Sequence, residues 1–161
     1  MNSIMIDYAV PAYRKLAPKK EVSDFLKAVC LEEGIDGAEF SVSFIDEEEM
    51  HSLNKQYRNV DDSTDILSFA AQDGNDEFAF IAGPRRFRNL GDILICPEVF
   101  ARNAEEFGVT FDEELHRLLI HGVLHLNGMD HKSNDASEPM LRHQEDILIK
   151  LYLKSKKGGL K

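Results

Sequence analysis

His121-Gly122-Val123-Leu124-His125-Leu126-Asn127-Gly128-Met129-Asp130-His131 places three of the chain's six histidines within eleven residues. His121 and His125 are four apart. On an α-helix that is about 400° of turn, so both imidazoles leave the same face. Gly128 offers a helix stop, since glycine turns through positive φ without steric cost. A chain that bends back there carries His131 to the exposed edge of the first two rings. Three neutral imidazoles with an open fourth position make a catalytic metal site of the kind zinc occupies.

The neighbours of these histidines are apolar. Leu118, Leu119, Ile120, Val123, Leu124 and Leu126 make the helix hydrophobic nearly all round, as a buried helix must be. An imidazole buried there needs a partner, because an unsatisfied polar group is costly. The bland reading is three core histidines bonded to backbone carbonyls, and any one of them alone would be read so. Three at this spacing favour a metal.

The familiar metalloprotease helix carries H-E-x-x-H, with the glutamate as general base. Here Gly122 stands at the glutamate's place. The cradle is present and its built-in base is not, which weighs against ordinary peptide hydrolysis. Hydrolysis with a base from elsewhere, or from the substrate, stays open. Three imidazoles also suit nickel, copper or iron, so zinc is a preference among divalent transition metals.

The rest of the chain bounds the context. Its 161 residues form one domain long enough for a substantial core. Cys30 and Cys96 stand far apart without a CxxC partner, which fits core packing in a reducing compartment. No apolar run reaches membrane-spanning length and the start lacks a signal-peptide pattern, so a cytoplasmic protein is expected. A net charge of −10 argues against a non-specific nucleic-acid coat. Local basic patches remain: Arg85, Arg86 and Arg88 in one loop, and a lysine tail over 154–161 expected to be disordered.

Periodicity supplies the elements. Ile4, Ile6 and Tyr8 alternate in a short strand over 3–8. Val22, Phe25, Leu26, Val29 and Cys30 give a helix over 21–33, with Gly34 at its stop. Phe40, Val42 and Phe44 alternate with Ser41 and Ser43 in a half-buried strand. Asp46 caps a helix with Glu49 as its box partner, Ile45 and Met50 as the staple, and Met50, Leu53 and Tyr57 as the apolar stripe. Strands follow over 65–71 and at Gly91–Cys96, the latter apolar throughout and central. Between them residues 72–90 form a long connection of the length that is often functional, with Phe78, Phe80 and Ile81 suggesting a short extra strand. Pro97 opens a helix that Gly108 closes. Thr110 with Glu113 caps the histidine helix. Ser137 is placed to cap a last helix whose Leu141, Leu148 and Leu151 face the core. The expectation is an α+β fold: a small mixed sheet of about four strands with about five helices, and the three-histidine site at the end of a buried helix. Residues 1–153 make the domain and 154–161 the tail.

The order of motifs resembles the YbeY family of bacterial metal-dependent ribonucleases. The resemblance rests on H-G-x-L-H-x-x-G-x-D-H at His121 to His131. Leu53-Asn54 with Tyr57-Arg58, Thr64-Asp65-Ile66-Leu67-Ser68-Phe69 and Gly91-Asp92-Ile93-Leu94-Ile95-Cys96 support it, as do Met140, Gln144 and Glu145. The loop over 72–90 and the lysine tail match no family pattern. The resemblance implies a single-strand-directed endoribonuclease acting in 16S ribosomal RNA maturation and ribosome quality control, with the small ribosomal subunit as partner. It implies one zinc held by His121, His125 and His131, an important arginine at Arg58, and no organic cofactor. RNA carries its own nucleophile in the 2′-hydroxyl, so a site without a protein carboxylate base is less handicapped.

Other residues have two readings each. Arg58 either steadies a phosphate through its forked guanidinium or complements a helix end. Asp130 either orients a ligand histidine or simply follows the turn at Gly128. Arg85, Arg86 and Arg88 either touch RNA phosphates or are solvated. His51, His116 and His143 read as surface or packing groups. Two other functions compete: a minimal metallopeptidase or other metallohydrolase, and a non-catalytic ribosome-assembly factor with structural zinc. The absent glutamate disfavours the first. An open fourth position disfavours the second, because structural sites are usually closed.

Overall fold

Alternation at Phe40, Val42 and Phe44 becomes a strand with one buried face. The computed structural model describes residues 1–71 and 87–154. In it β1 (Ser3–Tyr8) lies parallel to β2 (Ala38–Phe44), which buries Ala38, Phe40, Val42 and Phe44 and leaves Ser41 and Ser43 half-buried. Two further strands are β3 (Ile66–Ala70) and β4 (Arg88–Ile95). β4 runs parallel to β2, and β3 runs antiparallel to β4, giving the order β1-β2-β4-β3. The apolar run at Gly91–Cys96 is therefore interior, paired on both sides.

Six α-helices are present among the described residues: α1 (Tyr13–Leu16), α2 (Lys19–Glu32), α3 (Glu47–Arg58), α4 (Pro97–Phe107), α5 (Phe111–Leu126) and α6 (Pro139–Leu148). A π-helical turn, Ile149–Leu153, follows α6. The fold is α+β with a mixed four-stranded sheet, as expected. Helices α2, α5 and α6 cover the sheet face that carries Phe40, Val42, Ile93 and Ile95. On the other face Leu67 joins Ile45, Met50, Cys96 and Val99 in a smaller cluster under α3 and α4. Both cysteines are buried and free. Among the described residues no helix is long and apolar enough to cross a membrane.

The caps follow the sequence at two helices. Asp46 Oδ1 accepts from Glu49 N–H at 2.8 Å, and Ile45 and Met50 are buried together as a staple. Thr110 Oγ1 accepts from Glu113 N–H at 3.0 Å. Four expectations are corrected. The four-residue α1 was not foreseen, being too short to show a period. Ser137 does not cap α6; Glu138 holds the cap position without a side-chain bond and Pro139 opens the helix, while Ser137 N–H donates to Asp135 Oδ1. Leu148 is buried and Leu151 packs against the core as expected, with Met140 and Ile147 beside them, but Leu141 lines a groove instead. Tyr57 is largely exposed and meets Phe69 edge-on instead of completing a stripe. The suggested strand at Phe78, Phe80 and Ile81, most of the connection over 72–90 and all but Lys154 of the lysine tail lie outside the described residues.

Candidate metal centre

Helix α5 lies directly on β4. A Cβ at Gly122 would come within 2.7 Å of Ile93 Cδ1 and 3.0 Å of Ile93 Cγ2. A side chain at the protease glutamate's place would have to displace the fully buried Ile93 side chain, so the close packing there favours glycine. At the other end the helix closes in a Schellman turn. Gly128 adopts φ +98°, Gly128 N–H donates to His125 O at 3.0 Å, and Met129 N–H to Leu124 O at 3.0 Å. The chain then reverses, and the three rings come together with centroids 4.6, 5.3 and 5.3 Å apart.

Each ring is oriented through Nδ1. His121 Nδ1 lies 2.6 Å from Gln144 Oε1, His125 Nδ1 lies 3.1 Å from Met129 O, and His131 Nδ1 lies 2.8 Å from Ser133 O. Those oxygens only accept, so each Nδ1 carries the proton and each neutral ring has a bare Nε2. His121 Nε2 and His125 Nε2 face one another at 3.1 Å. Two lone pairs that close repel one another unless a cation lies between them. One nitrogen from each ring can be chosen so that all lie within 4.8 Å of one another, and the group could hold a metal ion. Burial lowers the pKa of His121 and, with the neighbouring rings of His121 and His131, brings His125 down to about 4. Both therefore stay neutral at pH 7, as ligand rings must.

The rings open onto a groove of about 970 Å³ that residues of β3 and the last residue of α3 also line. Arg58 is the last residue of α3. Its Nη2 donates to Ser68 O at 2.9 Å and its guanidinium lies 4.9 Å from the Phe69 ring centroid. Buried Asn54 holds the segment after α3 by donating to Asp62 O at 2.9 Å. Asp65, Asn103, Glu114 and Arg117 complete one end of the groove, and Phe107, 65 % exposed, lines it too. Burial raises the pKa of Asp65 and of Glu114.

The structure brings His121, His125, His131, Asp130 and Arg58 into this one groove. Asp130 Oδ1 accepts from the backbone N–H of His131 at 2.8 Å, while the His131 ring is held by Ser133 O. Arg88 opens β4, exposed and off the groove; Arg85 and Arg86 lie outside the described residues. His51 pairs with Asp61, His143 with Glu33, and His116 packs between Phe25 and Tyr152. Residue-by-residue reading had missed Arg117, although it stands one helical turn before His121, with Glu113 one turn before that. That row was the available signal.

The family model described as endoribonuclease YbeY matches residues 10–152. The chain belongs to the YbeY family. Relatives of that name include one from Treponema denticola, 40 % identical over 148 residues and covering 92 % of both chains. Another, from Macrococcus caseolyticus, is 43 % identical over 129 residues, covering 80 % of this chain and 82 % of its own. The solution structure of a Thermotoga maritima protein superposes with a TM-score of 0.63 at 28 % identity, covering 96 % of this chain and 93 % of that one. The YbeY match spans every element that forms the groove.

Proposed function

We propose that this YbeY-family chain is a zinc-dependent endoribonuclease of the cytoplasm that cuts single-stranded RNA during ribosomal RNA maturation and quality control, working on the small ribosomal subunit. The observation that carries the reading is the convergence of three imidazoles, one ring nitrogen from each within 4.8 Å of the others, in a groove that Arg58 also lines. A tetrahedral centre with Zn–N of about 2.0–2.1 Å separates its nitrogens by about 3.3 Å, close to the observed spacing of the first two rings. His121, His125 and His131 would hold the ion. Zinc there supplies fixed positive charge where the phosphate gains negative charge.

The chain's own residues do the remainder. Gln144, Met129 O and Ser133 O keep the Nδ1 protons in place and so keep Nε2 available. Arg58 is pinned through one of its five N–H donors to Ser68 O. Its fork binds and orients the phosphate across the groove, and RNA brings its own 2′-hydroxyl as nucleophile. Among the described residues the histidine group gains no fourth protein ligand, as a catalytic rather than structural site requires. One observation favours a second reading, a metallopeptidase. Among the described residues β3 is an edge strand along the groove, and an extended peptide could pair with it. Single-stranded RNA and casein digests, each with and without chelator, separate the two. Chelator-sensitive RNA cleavage with intact casein is expected; cleavage of casein alone would replace the nuclease with a peptidase.

A further inference from the structure

We propose that Arg117 and Glu145 select the metal-binding tautomer of His121, acting through the side-chain amide of Gln144. The consequence for metal rests on the reading above. Glu113, Arg117, His121 and His125 recur every fourth residue of α5, so they line one face. Arg117 donates to Glu113 Oε2 at 3.0 Å and to Glu114 Oε1 at 2.8 Å. It also grips Glu145 of α6 with a fork, Nε to Oε2 at 2.9 Å and Nη2 to Oε1 at 3.0 Å. Burial opposes the charge on Arg117, but the bonds to Glu145 and Glu114 more than offset it and raise its pKa.

Gln144, 6 % exposed, lies between this pair and the metal cradle. Its Nε2 donates to Glu145 Oε2 at 3.1 Å and its Oε1 accepts from His121 Nδ1 at 2.6 Å. An amide has one donor end and one acceptor end. A carboxylate fixed by arginine only accepts, so the amide must offer it the NH2 group. The oxygen is left for His121, which must donate from Nδ1 and keep Nε2 bare. The reversed amide would set its oxygen against the Glu145 carboxylate and its NH2 against His121. That ring would then accept at Nδ1 and carry its proton at Nε2, where it could not bind metal. His125 and His131 bond backbone carbonyls, which cannot reverse. His121 is the ring of the three whose polarity depends on side chains, and Arg117 and Glu145 are its positioning residues.

Two readouts test this: the His121 tautomer by ¹⁵N NMR of the metal-free protein, and Zn²⁺ affinity by competition with a chromophoric chelator. In Glu145→Met a population of His121 protonated at Nε2 should appear, and zinc affinity should fall about tenfold or more. Adding Gln144→Glu to Glu145→Met makes position 144 acceptor-only, and both readouts should return toward wild type. Arg117→Lys keeps the charge and loses the fork; it should shift both readouts the same way by less, and it serves as the test if Glu145→Met does not fold. A folded variant with lowered stability, His121 wholly protonated at Nδ1 and zinc affinity within about twofold of wild type would overturn the proposal, leaving Arg117–Glu145 as a tie between α5 and α6. Wild-type protein that takes up no zinc would sink the metal reading, and the tautomer measurement would still decide this one.

Discussion

On the histidine wall of the groove every ring is held at its rear nitrogen by a neighbouring oxygen, and α5 beneath is packed on β4 without room for one methyl group. In another part of the lining Arg58 hangs from the last turn of α3, by one hydrogen bond to Ser68 O and the face of Phe69 among the described residues. The first wall is set before any ligand arrives, and distortion there is costly because the core behind it is close-packed. The second is a long side chain at a helix end whose charged tip can adjust to what it binds. An ion needs ligands fixed to a fraction of an ångström, whereas a flexible polyanion is better met by a group that follows it.

The comparison can be broken most severely at Gly122. Gly122→Glu would rebuild the protease pattern in sequence, yet its Cβ would meet Ile93 at 2.7 Å. The substitution should cost about 3 kcal/mol or more from overpacking and a buried carboxylate, read as a fall in the denaturant midpoint. A folded Gly122→Glu variant of wild-type stability would show that Ile93 or α5 itself gives way, and the rigidity assigned to this wall would be wrong.

Arg58→Ala tests the other wall with less expected damage. Losing a charged hydrogen-bond donor should lower kcat/KM for RNA about ten- to a hundredfold. Zinc content and melting temperature should stay at wild-type values, since the contacts of Arg58 among the described residues, with Ser68 O and the half-buried Phe69 ring, lie at the surface. Equal cleavage by the variant would remove Arg58 from the site.

A gentler probe is pH. The ordinary histidine value is 6.5, and burial brings His125 down to about 4. The unfolded chain then takes up the proton first as pH falls. The stability linked to neutral His125 is whole above pH 6.5 and is lost as pH drops toward about 4. Chelator-treated protein should show its melting temperature declining across that window, and a flat profile would mean the ring is not buried as described.

The three histidines were legible because their arrangement is local. Helical spacing aligns His121 with His125, and a glycine at the helix end returns His131 to them. The same locality made the caps at Asp46 and Thr110 legible. Arg58 was reached only through the family resemblance, since nothing in its neighbours says that the end of α3 faces the end of α5. The row Glu113, Arg117, His121 was in plain view, but at that spacing it reads as an ordinary surface ion pair until Gln144 and Glu145 arrive from α6. Ser137 looked like a cap because hydroxyls are good ones; here Asp135 engages its backbone and Pro139 starts the helix without it.

By itself the sequence determined all but the shortest of the described elements, the mixed α+β character and the three-histidine cluster, because periodicity, caps and i,i+4 spacing act within a few residues. Tertiary structure alone decided that Gly122 is where helix and sheet touch, that the Nδ1 of each ring meets an oxygen, and that Arg58 and Arg117 share their groove. Those facts depend on partners distant in the chain. The direction of a hydrogen bond and the gap between two packed surfaces exist only once those partners are in place.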